Sequence, residues 1–122
     1  MIQGLAEEQR LSGAIVQGGL VWLAGRVADD NSLDTGGETA DVLRQVNALL
    51  VQAGTDKRRP LSVTAVLADI RGAPAMNHPR NGWFDPATKP ARMTIGAALV
   101  DPSWRVGITG VAALDGPGAR QA

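Results

Sequence analysis

One guanidinium stands out among the residues that could do chemistry. The stretch KPARMTIGAALV, residues 89–100, is apolar or small over most of its length, with Lys89 at its mouth and Arg92 inside it. In a strand, alternate side chains share a face. Ala91, Met93, Ile95, Ala97 and Leu99 then form one set, and Arg92, Thr94, Gly96, Ala98 and Val100 the other. The first set is bulkier and is expected to lie beneath the helices. The second is a floor of small groups with a cation at one end. A fixed positive fork beside open space suits a carboxylate ligand. The alternative is that Arg92 runs out to solvent along its aliphatic stem or pairs with a structural acid. Periodicity leaves both open.

Other chemistries are thinly supplied. There is no cysteine, which removes disulfides, thiolate catalysis and zinc–thiolate sites. The one histidine, His78, stands before Pro79 in a polar stretch and is expected at the surface, so no histidine pair exists for a nuclease or a metal. Lys plus Arg and Asp plus Glu number 12 each, a zero net charge that gives no basic excess for nucleic acid. The run DKRRP, residues 56–60, is expected as a solvated loop. Trp22, Trp83, Trp104 and Phe84 are the only aromatics, too scattered for a base-stacking platform. Trp22 is expected in the core and Trp104 as packing. Trp83 could line a cleft, pack in the core or meet another subunit. The acids Asp29, Asp30, Asp34 and Glu38 could gather a hard cation, although a solvated loop explains them as well. Asp69 could meet a neighbour's arginine. No cofactor and no metal are expected. The start, MIQGLAEEQRL, is neither basic nor apolar enough for a secretory signal. No apolar run approaches the roughly 20 residues of a membrane span. A soluble, cytoplasmic protein is the expectation, with no membrane or nucleic-acid partner.

The elements that must position these groups follow from pattern. A chain of 122 residues is expected to form one domain, with its core over about 12–114 and a loose tail over 115–122. Gly18-Gly19 between two apolar runs predicts a hairpin of strands near 12–17 and 20–26. In residues 38–56, Val42, Leu43, Val46, Leu49, Leu50 and Ala53 recur at helical spacing. Gly54 suits the left-handed stop, and Thr39 or an earlier residue caps the start. Residues 61–70 are rich in β-branched side chains and predict a strand. Met76, Trp83 and Phe84 could share a helix face, but Pro74 and Pro79 oppose it, so a short or broken helix is expected around 73–84. Strands over 91–100 and 104–114 flank a turn at DPSW. The order β-β-α-β-α-β-β predicts an α+β domain with two helices on one face of a mixed sheet.

Four segments carry a resemblance. LVWLAGRVADD at 20–30, LLVQAGTDKRRPLSVTAVLADI at 49–70, AMN at 75–77 and PARMTI at 90–95 occur in the order seen in the Rid family. These are the reactive intermediate deaminases, or YjgF-type proteins, and the resemblance covers roughly residues 13–113. The segments NGWFDP and LVDPSW look like the branch often labelled only as Rid family hydrolases. The resemblance implies a chorismate-mutase-like α+β fold and a homotrimer, with ligand clefts between neighbours.

It also implies a chemistry: hydrolysis of the C=N bond of 2-imino or 2-enamino acids to 2-oxo acids and ammonia, without cofactor. By position, Arg92 would hold the substrate carboxylate and Gly25 would offer backbone contact. Asn77 matches the asparagine of the family's MN pair, and Thr94 the residue two beyond the arginine. The chain departs from the family in its last strand. A V-E-I-E pattern is replaced by Val106, Gly107, Ile108 and Thr109. Thr109 could hold a water but cannot act as a base near neutrality. A binding protein that captures carboxylates without turnover is therefore the alternative. A holdase-like interaction role is a third.

Overall fold

The helical periodicity around Val42 and Leu50 becomes α1, Thr35–Ala53. The structure, a computed structural model, describes residues 2–114, so the expected loose tail over 115–122 lies outside the described residues. Asp34 caps the helix start, its carboxylate accepting from the Gly37 amide at 2.7 Å. Thr39 is instead buried one turn in and donates to the Thr35 carbonyl. At the other end Gly54 takes φ 99°, the left-handed conformation that glycine adopts without strain.

Six strands form one sheet in the order β1-β2-β3-β6-β4-β5. The strands are β1 (Gln3–Glu7), β2 (Ser12–Gln17), β3 (Leu20–Val27), β4 (Pro60–Leu67), β5 (Ala91–Gly96) and β6 (Val106–Ala113). β4 and β5 are parallel and every other pairing is antiparallel, so the sheet is mixed as expected. α1 and α2 (Ala73–Trp83) lie together on one face. The core between the layers joins Val42, Val46 and Leu50 to Val21, Ala65 and Ile108. β1 was not expected. Its only buried side chain is Leu5, so as an edge strand it carries almost no apolar pattern. β5 is shorter than expected and leaves the sheet after Gly96, with one further bond from the Ala97 amide to the Leu67 carbonyl.

Two expectations are reversed. The bulky face of β5 was placed beneath the helices. In register, Arg92 lies beside buried Val63 and Thr94 beside buried Ala65, so the small face looks toward the helices. Met93 and Ile95 lie beside Thr64 and Val66 on the other face, where Met93 is 58% exposed. Trp22, expected in the core, shares that open face beside Val111 and is 47% exposed. Size alone misassigns the faces because a wide apolar surface stays uncovered in the single chain.

The segment 73–84 was expected short or broken. α2 runs unbroken for 11 residues with Pro79 inside it. Pro74 sits in the first turn, where an amide has no helical partner to lose. Pro79 forgoes the bond that its amide would have given to the Ala75 carbonyl and crowds that carbonyl with its ring, yet the helix runs on through it.

Two buried carboxylates fasten α1 to the strands. Glu38, which the sequence placed among loop acids, is fully buried. It accepts from the amides of Arg105 at 2.8 Å and Val106 at 3.2 Å, and from the Arg105 guanidinium at 3.4 Å. Asp41 accepts from the Asp29 amide at 2.8 Å, from Gln45 and from Arg44. Gln45 in turn donates to the Val27 carbonyl and accepts from Arg26. This ties the end of β3 to the helix. The Asp29 amide, foremost among these contacts, holds the Asp41 carboxyl below its ordinary value.

Glu38→Ala strips a buried acceptor from two strand amides. It is expected to lower stability by about 3 kcal/mol in urea denaturation. Asp41 contributes stability that is full above the ordinary carboxyl value and lost as pH falls through its depressed folded value. Asp41→Asn should therefore lower the melting temperature at pH 7, and the gap from wild type should close as pH falls below about 4.

Candidate anion-binding site

β5 lies at the edge of the sheet, so among the described residues its outer flank has no neighbouring strand. Arg92 rises from it toward the helix side, exposed, and forms no ion pair among the described residues. A cleft of about 400 Å³ opens beside it, lined by Asn81, Phe84, Pro86, Lys89, Pro90 and Arg92. The wall is built by the end of α2 and the turn that follows. Phe84 is buried edge-on to the Trp83 ring, 4.9 Å between centroids. The turn is closed by the Ala87 amide on the Asp85 carboxylate and the Thr88 amide on the Asp85 carbonyl. The Thr88 hydroxyl anchors it to the Arg58 carbonyl. Pro90 then delivers the chain into β5.

Beneath Arg92 lies a residue that sequence reasoning passed over. Arg80, on α2, is only 3% exposed. Its guanidinium donates to the Asn77 side-chain carbonyl at 2.7 Å and to the Thr94 hydroxyl at 3.2 Å. Its Nε has no partner, and no carboxylate pairs with it among the described residues. Burial first, and then the positive charge of Arg92, pull this guanidinium below its ordinary value. The signal was present in the spacing: Met76, Arg80 and Phe84 fall four residues apart and are all buried. It was obscured by the expectation that Pro79 breaks the helix.

The sequence-selected residues fall into two groups. Arg92, Thr94 and Asn77 lie on the helix side of the sheet, the last two joined through Arg80. Trp83 is half-buried against the core, and its neighbour Phe84 is the ring that lines the cleft. Gly25 and Thr109 lie elsewhere, on a bulge where two residues of β3 oppose one of β6 between the pairs Leu23↔Gly110 and Arg26↔Ile108. The Thr109 hydroxyl donates to the Leu23 carbonyl at 2.7 Å. Both line a second recess of about 220 Å³, with Val66, Leu99, Trp104 and Gly107, on the face away from the helices. Within one chain the two groups do not meet.

The remaining polar candidates have local roles. Asp69 is held by Arg71 at 2.7 Å, a pairing that lowers its carboxyl to about 2. Asp34 caps α1 and Glu38 is buried, and no group of three potential metal ligands gathers among the described residues. His78 is exposed. Among the described residues no helix is long and apolar enough to cross a membrane.

Comparison with known proteins fits this architecture. The family model described as Endoribonuclease L-PSP matches residues 1–114. A RutC family protein of Haemophilus ducreyi is 33% identical over 94% of this chain and 98% of its own. The RutC family protein YoaB of Escherichia coli is 32% identical over 88% of this chain and 93% of its own. The crystal structure of a YjgF family member from Neisseria meningitidis superposes with a TM-score of 0.92 at 31% identity, covering 95% of this chain and 97% of the other. With its sheet order, its two helices and these relatives, the chain belongs to the Endoribonuclease L-PSP family, the RutC and YjgF proteins, as the Rid resemblance of its sequence implied.

Proposed function

We propose that this protein hydrolyses reactive 2-imino and 2-enamino acids to 2-oxo acids and ammonia, with Arg92 holding the substrate carboxylate. The observation that carries this reading is an arginine with no acid partner among the described residues, on an edge strand beside an open cleft. Water adds to the imine carbon and a carbinolamine forms. The nitrogen takes up the proton that the carbinol hydroxyl gives up and leaves as ammonia, and the C=O bond closes behind it; an enamino acid first becomes the imine by moving a proton from nitrogen to its β-carbon through solvent. The imine is already electrophilic, so fixing its carboxylate and one water contributes rate through orientation. No cofactor enters. The family description names RNA cleavage, but zero net charge and one exposed histidine offer little support for it.

The working unit in this reading is a homotrimer. The uncovered face with Trp22, Met93 and Ile95 is apolar enough to seek a partner. Packing of that kind would bring the Gly25–Thr109 bulge of one protomer toward Arg92 of the next, uniting the two groups. Thr109 would then place water through its oxygen, while Asn77 and Thr94, held by Arg80, and the half-buried Trp83 would support the residues that line the cleft.

The second reading is capture of small carboxylates without turnover. It is favoured by the absence of an acid at 107 and 109 and by the Thr109 hydroxyl being committed to Leu23. General acid–base help is typically worth about 10²–10⁴-fold, and this strand supplies none.

With 2-iminopropanoate generated by an amino-acid oxidase, the protein should accelerate imine loss, and Arg92→Ala should cut kcat/KM by about 10- to 100-fold. No acceleration of any imino acid, together with saturable 2-oxo acid binding, selects the binding protein. Gly107→Glu tests the missing acid. A Cβ there meets Leu99 Cδ2 at 3.4 Å, with all else at 3.8 Å or beyond, so the backbone at this buried position admits the first atom of a side chain that would extend into the second recess. The variant should raise kcat by about 100-fold, and an unchanged kcat in a folded variant would show that the glutamate's place is not functionally vacant.

A further inference from the structure

We infer that the Arg92 cleft is built for a dianionic ligand: a 2-imino or 2-oxo acid carrying a second carboxylate, received by Thr94 over the buried charge of Arg80. The inference rests on the carboxylate-binding reading of Arg92 and adds the nature of the substrate's side chain.

Three observations carry it. A guanidinium that is almost wholly buried is held by two neutral oxygens, from Asn77 and Thr94, and by no acid among the described residues. Buried charges are ordinarily paired, because neutral acceptors only partly replace the water lost. The second observation is that the neighbouring charges have the same sign. Arg92 and Lys89 line the adjoining cleft, and Asn81, next in the chain to Arg80, lines it with them. The nearby acid, Asp85, is occupied by the Ala87 amide, and its charge acts on Arg58. An anion carrying one charge leaves this cluster strongly positive.

The third observation is the direction of the Thr94 bond. The Thr94 oxygen accepts from Arg80, so its own hydroxyl proton is free to be given elsewhere. Thr94 is half-buried and sits two residues along the same face from Arg92, about 7 Å away. Thr94 lies beyond the residues that line the cleft, so a ligand gripped at one end by Arg92 would reach along the strand to accept that proton with its far carboxylate. Arg80 polarises the hydroxyl from beneath without touching the ligand. It is a positioning residue, and Thr94 is the contact.

The test compares two stable five-carbon acids, 2-oxoglutarate and 2-oxopentanoate, by calorimetry on the full chain at one ionic strength. They differ in the second carboxylate. Wild type should bind the diacid about tenfold or more tightly. Thr94→Val and Arg80→Gln should each bring the diacid down to the level of the monoacid. Neither should weaken the monoacid more than about threefold, and Arg80→Lys should keep part of the preference. A merely structural Arg80 would weaken both acids together. Equal binding of the two acids by wild type overturns the inference and leaves monocarboxylate capture standing. So does a preference that survives Thr94→Val, a substitution small enough to decide the matter if Arg80→Gln does not fold. If neither acid binds and Arg92→Ala changes nothing, the carboxylate reading of the cleft fails with it.

Discussion

The parallel pairing of β5 with β4 is the constraint on which the site depends. Two parallel strands cannot be joined by a tight turn and require a crossover. α2 is that crossover, and it must lie across the sheet face on which it starts. The register Val63↔Arg92 and Ala65↔Thr94 then fixes which side chains it meets. A slip of one residue would exchange the faces. Met93 would press against α2, and Arg92 would pass to the open side. The cleft, the Arg80–Thr94 bond and the exposure of Met93 and Ile95 are consequences of one register.

That register could not be read from side-chain size. The bulky set of β5 looks like core by every ordinary rule, yet it is the outer set. The rule fails because it assumes that one chain covers its own apolar surface. A face bearing Trp22, Met93 and Ile95 breaks that assumption. By contrast the apolar stripe and the stop of α1 were legible, since the stripe meets strands of the same chain and the stop is a glycine at positive φ, although the helix starts at Thr35 rather than at 38. β1 was illegible for the opposite reason. A strand at the sheet edge with one buried side chain has no period to detect. Arg92 was legible as an oddity of residue type. Its nearest chemical neighbour was not, because Pro79 invited a break in a helix that runs through it.

Two buried ionic groups are answered by the fold in different ways. Glu38 is wholly enclosed, and the fold answers it with two backbone amides and the Arg105 guanidinium. Each partner lies at the start of β6, so the carboxylate fixes where that strand begins. Arg80 is enclosed to nearly the same degree, and the described residues answer it with two neutral oxygens. One oxygen belongs to the strand that carries Arg92.

Stability alone gives no reason to retain the second arrangement. An apolar side chain of similar volume in place of Arg80 would remove the desolvation cost and would leave two small polar groups to be satisfied. The cation also works against Arg92, raising the cost of holding both in one place. That cost is borne next in the chain to Asn81 of the cleft lining and is matched nowhere among the described ion pairs, and the dianion proposed above would offset it. In that proposal the same field would let a cleft lined by no carboxylate and no imidazole be selective. It would discriminate by total charge on the ligand before any bond in that ligand is broken.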